Sequence, residues 1–279
     1  MGTVTATVTV TVEEGGAAGG TGPVRLFCTD HGGDGPPLLL LHGLAGHSGE
    51  WEALAARFAS THRVVAFDAR GSGASTRRPG DVTRAAHVRD VLAVADRFGL
   101  AEEDTVLVGQ SMGGLTALLA AAHPEVCRAL VLIEAGPAGP SPQLPEQIGG
   151  WLDSWPVPFP DEGAAEAFFG GGPAGRAWAA GLVPGPGGLH PRVDRDVMVA
   201  TVQENAQRHF WDDWDRVRCP VLVVRGENGA MKPVEADRMR ARHPGTRIGV
   251  IPGAGHDAHL DNTAAVYGEM AAFLAQLRA

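Results

Sequence analysis

The sequence predicts an α/β fold: a mostly parallel central sheet, helices on both faces, and one inserted segment. Three observations carry that expectation. Short apolar runs, such as Leu38-Leu39-Leu40-Leu41 and Val64-Val65-Ala66-Phe67, recur along the chain as buried strands. Segments of helical period lie between them, the alternation that gives a parallel sheet. The rhythm then breaks once, over residues 135–214, where Gly, Pro and Trp accumulate.

Residues 3–13 alternate β-branched residues with period two and read as a first strand. A glycine-rich turn follows over 14–22. A second strand spans 24–29, and 31–37 turns into a third, the leucine run. Trp51, Leu54, Ala55 and Phe58 have the spacing of a helix over 50–60. Residues 64–67 are a strand. Over 84–98, Val88, Val91, Leu92, Ala95 and Phe98 share a helical face, and Gly99 is placed to cap it. Residues 105–108 are a strand, 114–122 a helix and 129–134 another buried strand. Beyond the break, 219–225 resumes the sheet. Residues 234–242 read as a helix, 248–251 as a last strand and 264–277 as a closing amphipathic helix. The break itself holds Trp151, Trp155, Phe159, Phe168, Phe169, Trp178, Trp211 and Trp214. Disordered segments are usually poor in aromatics, so this one is expected to fold.

A chain of 279 residues fits one large α/β domain, and 44% hydrophobic residues supply a core for it. The net charge is −9 and the pI about 5.6. Positive charge is dispersed, and Lys232 is the sole lysine. Nucleic acid and anionic membrane surfaces are therefore poor partners, and a small-molecule substrate is expected. Residues 1–14 lack the basic start of a signal peptide, and no apolar run is long enough to span a bilayer. Cys28, Cys127 and Cys219 are odd in number and scattered, which suggests free thiols in the reducing cytoplasm. No Cys-x-x-Cys occurs, and no carboxylate completes a plausible metal site with His42 and His47. Gly71-x-Gly73 lacks the downstream glycine of a dinucleotide fingerprint. No metal and no cofactor is expected. The residues leave the oligomeric state open.

Gly109-Gln110-Ser111-Met112-Gly113 carries the most chemistry. It has the Gly-x-Ser-x-Gly form and lies between a strand-like and a helix-like run. A sharp turn there lifts the serine Oγ above the sheet edge as a nucleophile. Serine is a weak nucleophile and needs a base within hydrogen-bond reach. His256, in Gly253-Ala254-Gly255-His256 after the last strand, is the best base. His259, a helical turn on, reads as a solvated or packing residue.

With His42-Gly43 after the leucine run and Asp68-Ala69-Arg70-Gly71-Ser72-Gly73-Ala74-Ser75 after the fourth strand, these motifs resemble the α/β-hydrolase superfamily. The resemblance covers residues 24–277. It implies a Ser/His/acid triad and an oxyanion hole made by the backbone N–H groups of Leu44 and Met112. Asp68 and Arg70 would be structural. The superfamily's usual acid lies in Gly-x-x-Asp after strand seven, and here that segment reads Gly226-Glu227-Asn228-Gly229. Glycine cannot orient an imidazole. Glu134, ending strand six, stands where certain haloalkane dehalogenases and the zearalenone-type lactonases place their acid. Glu227 and Asp257 are its rivals, in that order.

The break at 135–214 matches the superfamily's cap position. Residues 1–134 and 215–279 would then be the core domain and 135–214 a cap (lid). The alternative is a surface excursion whose aromatics hold only their own small core. His42, Trp151, Trp155 and Trp178 are the substrate-binding candidates. The function implied is a serine hydrolase acting on a carboxylic ester or lactone of a moderately apolar small molecule through an acyl-serine intermediate. A serine at the elbow speaks against dehalogenase and epoxide hydrolase chemistry. C–C bond hydrolysis, a non-hydrolytic biosynthetic reaction (lyase, acyltransferase or cyclase) and a ligand-binding receptor that keeps the triad stay open.

Overall fold

A computed structural model of the chain describes residues 5–14, 22–101 and 103–277. Strands β1 (Ala6–Val12), β2 (Val24–Asp30) and β3 (Pro37–Leu41) lead into a 3-10 turn and helix α1 (Glu52–Phe58). Strand β4 (Arg63–Phe67), helix α2 (Arg84–Phe98), strand β5 (Val106–Gln110), helix α3 (Ser111–Ala121) and strand β6 (Ala129–Ile133) follow. Residues 3 and 4 of the expected first strand, and most of the expected turn at 14–22, lie outside the described residues.

The inserted segment contains α4 (Leu144–Asp153), α5 (Glu162–Phe168), α6 (Gly172–Ala180), the hairpin β7 (Val183–Gly185) and β8 (Gly188–His190), α7 (Arg195–Thr201), α8 (Gln203–Gln207) and α9 (Trp211–Trp214). The chain closes with β9 (Val221–Gly226), α10 (Pro233–Arg242), β10 (Arg247–Ile251), α11 (Ala258–Asp261) and α12 (Thr263–Gln276).

One 8-stranded sheet runs in the order β1-β2-β4-β3-β5-β6-β9-β10. Strand β2 is antiparallel to both its neighbours, and β4, β3, β5, β6, β9 and β10 pair parallel in that order. Period-two geometry sorts the apolar runs between the two faces. Leu39, Leu41 and Leu107 point into a core with α2 and α3. Leu38, Leu40, Val106 and Val108 point into a core with α1 and α12. The central strands are apolar throughout because both faces are covered. Parallel order brings the carboxyl ends of β3, β5, β6, β9 and β10 to one edge, the edge where α/β sheets hold ligands.

Two expectations need correction. The buried face of α2 carries Val88, Val91, Val94 and Phe98, whereas Leu92 is exposed. Buried Arg84, His87 and Asp90 on the same helix rotate that face by a few residues, and this polar burial is invisible to a hydrophobic pattern. The cap boundary at 214 is also too late. Phe210, Trp211 and Trp214 pack in the core beneath α3, with Val217 and Met239. Gly99 does cap α2 in the left-handed region, at φ 60°.

Within the insertion, Trp155, Phe159, Ala165, Ala179 and Leu182 form a third core. Trp151 and Trp155 meet edge to face at 5.1 Å, and Phe169 stacks on Trp178 at 5.6 Å. Polar contacts tie this unit to the sheet domain. Arg77 donates to the Val193 carbonyl at 2.7 Å, and the Arg84 N–H donates to Glu204 at 2.8 Å. Among the described residues, no helix is long and apolar enough to cross a membrane.

Candidate active site

Ser111 begins α3 with φ at 50°, in the left-handed region. Two close approaches force the flanking glycines. A Cβ on Gly109 would lie 2.4 Å from the Gly113 carbonyl oxygen, and one on Gly113 would lie 2.3 Å from that of His42. The turn therefore needs glycine on each side to carry its strain. Ser111 Oγ sits 2.9 Å from His256 Nε2. His256 Nδ1 sits 3.3 Å from Glu134 Oε2.

Glu134 is buried and directly follows β6, also at positive φ, 51°. Its Oε1 accepts from the Gly226 N–H at 2.7 Å. Its Oε2 accepts from the Ala230 and Met231 N–H groups at 2.6 and 3.0 Å. Burial pushes its pKa up. The hydrogen bonds from His256, Met231 and Gly226 outweigh burial and hold the carboxyl below the usual glutamate value. For His256, burial pulls the pKa down. The bond to Glu134 and the charges of Asp257 and Glu134 prevail and raise it above 6.5.

Gly229 and Glu134 meet at one point in space. A Cβ there would lie 2.1 Å from Glu134 Oε1 and 2.3 Å from its carboxyl carbon. The Glu134 carboxylate fills the space that a side chain at 229 would enter. The rivals are engaged elsewhere. Glu227 accepts from the Gly253 N–H at 2.9 Å. Asp257 accepts from the Trp178 indole at 2.8 Å and the Gln110 amide at 3.3 Å.

A cavity of about 860 Å³ opens above Ser111, lined in part by Leu44, Met112, Trp151, Phe169 and Trp178. Leu44 and Met112 flank the serine there. The Met112 N–H is in the first turn of α3, where no intrahelical acceptor exists.

Two substrate candidates do not reach this cavity. His42 is buried, with Nδ1 2.7 Å from the Gly43 carbonyl and Nε2 accepting from the Ala69 N–H at 2.9 Å. Both ring nitrogens are occupied in joining two loops, so His42 shapes the loop before Leu44 and does not meet substrate. Trp155 is buried in the third core against Trp151 and Trp178 and is not among the residues that line the cavity. Asp68 and Arg70 are structural, as expected. Asp68 accepts from the Ser48 N–H at 2.6 Å, and Arg70 holds Asp90 through two bonds of 2.7 and 2.6 Å. His259 packs on Trp51 at 4.5 Å.

Gln110 escaped sequence reasoning. Its amide also donates to the His256 carbonyl at 3.1 Å, which clamps the histidine loop to the nucleophile turn. Its place beside the serine was the available signal. Among the described residues, no cluster of His, Cys, Asp and Glu could hold a metal ion.

A profile described as "Alpha/beta hydrolase family" matches residues 38–269, and the chain belongs to that family. An uncharacterized protein of Mycobacterium tuberculosis is 34% identical over 126 residues. That match covers 41% of this chain and 36% of the relative, so the chain spans about a third of the relative's length. The sn-1-specific diacylglycerol lipase ABHD11 of Mus musculus is 27% identical over 86% of this chain and 81% of its own length. The crystal structure of E-2-(acetamidomethylene)succinate hydrolase superposes with a TM-score of 0.83 at 23% identity. It covers 97% of this chain and 100% of that one, a likeness of fold.

Proposed function

We propose that the chain is a serine hydrolase that cleaves a carboxylic ester or lactone of a moderately apolar small molecule. Ser111 attacks the carbonyl carbon while His256 Nε2 takes its proton. Glu134 fixes the imidazole so that Nδ1 carries a proton, and its charge stabilises the imidazolium that forms. The Leu44 and Met112 N–H groups receive the developing oxyanion. His256 then gives its proton to the leaving alcohol. Water activated by His256 hydrolyses the acyl-serine. Trp151 and Trp178 line the substrate site, and the inserted segment acts as its cap.

The observation that carries this reading is the Ser111–His256–Glu134 relay, 2.9 and 3.3 Å long, opening onto a cavity lined largely by aromatic and aliphatic side chains. The family membership supports it. A fluorophosphonate should label Ser111, and Ser111→Ala should lose label and about 10⁴–10⁶ in kcat toward an activated ester. In labelled water, hydrolysis puts solvent oxygen into the acid product, whereas acyl transfer or elimination does not. Turnover that survives Ser111→Ala would sink the mechanism.

A further inference from the structure

The cavity above Ser111 has a one-sided electrostatic character that says which ester it admits. Its charged wall residues, among the described residues, are Glu134, Asp257 and His256. Glu134 is held as a carboxylate by three backbone N–H groups and His256, which take up its oxygens. Asp257 is the second carboxylate on the wall. Its two donors, the Gln110 amide and the Trp178 indole, are both uncharged. No cationic donor sits on this carboxylate.

Trp151, Phe168, Phe169 and Trp178 line the same cavity, and the faces of such rings carry partial negative charge. The guanidinium of Arg84 lies behind Met112, 3.0 Å from its sulfur, and is spent on Thr116 Oγ1 and the Thr201 carbonyl. It forms no part of the cavity wall.

From this we infer that the site takes uncharged or cationic ring-bearing esters and rejects analogues that carry a carboxylate. The proposal rests on the ester-hydrolase reading for its chemistry but not for its charge preference. A carboxylate in the cavity meets Asp257 in a partly desolvated space and finds no cation to pair with. A carboxamide of the same shape loses nothing. A trimethylammonium group gains from both the rings and Asp257.

Three aryl acetates test it: para-carbamoyl-, para-carboxy- and para-trimethylammonio-phenyl acetate. They are assayed at about pH 8.5, well above the ordinary histidine pKa. Each kcat/KM is divided by that ester's hydroxide-catalysed rate, which removes leaving-group effects. The carbamoyl ester should exceed the carboxy ester by about tenfold or more, the effect of like charges a few ångströms apart in a site of intermediate dielectric. The trimethylammonio ester should at least equal the carbamoyl ester. Asp257→Asn should narrow the first gap to about threefold or less.

A second measurement needs no turnover. Tryptophan quenching in Ser111→Ala should show para-hydroxybenzamide binding about tenfold more tightly than para-hydroxybenzoate. If the esters go unhydrolysed but this ratio holds, the hydrolase reading fails and the charge preference stands. Equal handling of the carboxy ester, or equal binding of the benzoate, overturns the proposal.

Discussion

Glu134 accepts from three backbone N–H groups besides facing His256, and each of those donors needs an acceptor opposite it. Glu134→Gln replaces one oxygen by an NH₂ that must point at a donor. The variant should therefore lose both the imidazolium's counter-charge and the carboxyl's orientation. A kcat lower by about 10³–10⁴ is expected in steady-state assays, with KM little changed. Glu227→Gln should leave kcat within about threefold, since that side chain only caps the Gly253 N–H. The pH profile follows from the raised pKa of His256. The base works only when neutral, so activity falls as pH drops through a midpoint above 6.5. Asp257 contributes to that rise, so Asp257→Asn should move the acid limb of kcat/KM to lower pH. A limb that stays put would show that Asp257 does not act on His256. At this scale the sequence pointed to three residues at strand ends, Ser111, His256 and Glu134, whose side chains the fold brings into hydrogen-bond reach. It did not expose the idleness of His42. A histidine with both nitrogens occupied by backbone looks, in one dimension, like one free to bind.

At the scale of elements, β6 and β9 share one acid between them. Gly229 in the loop after β9 is empty of side chain because Glu134 at the end of β6 occupies that volume. Gly229→Ala should push the carboxylate off His256 and lower kcat by about a hundredfold while the sheet stays folded. The informative variant is the double one. Glu134→Gly with Gly229→Asp removes the first carboxylate and returns one from the neighbouring loop. It should recover at least about tenfold over Glu134→Gly alone. No recovery would mean that the loop after β9 cannot aim a side chain at His256. The vacancy at 229 was legible as a departure from the common motif. The contact that explains it was not, since it joins residues far apart in sequence through parallel pairing. Trp151 and Trp178 differ from Trp155 for a similar reason. Their spacing in the chain says nothing of which ring faces the cavity. Trp151→Ala should change KM and substrate preference, measurable on esters of increasing acyl length.

For the molecule as a whole, buried strands and the parallel order were readable because two-sided burial writes itself as unbroken apolar runs. The division between sheet domain and insertion was readable only in outline. Aromatic residues cluster over 151–178 and again over 210–214, and the two groups serve different cores. Phe210, Trp211 and Trp214 belong to the core under α3, and Trp155 and Phe159 to the insertion. Trp214 has no exposed surface, and its indole donates to the Met239 carbonyl at 3.1 Å. Deleting it opens a cavity beneath α3 and removes one of the two hydrogen bonds to that carbonyl, which still accepts from the His243 N–H. Trp214→Ala should lower the stability of the main unfolding transition by about 3–5 kcal/mol. Trp155 is equally large, but its neighbours Phe159, Phe169 and Trp178 all lie within the insertion. Trp155→Ala should leave the main transition nearly in place and instead raise local opening. Hydrogen exchange reads the difference directly. In Trp155→Ala, amides of α4, α5 and α6 should lose protection while those of β5 and β6 keep it. In Trp214→Ala, the sheet amides should lose protection together with the rest. If Trp155→Ala deprotects the central strands as much as the insertion, the two units unfold as one. The inserted segment would then be part of the folding core rather than a cover laid over it.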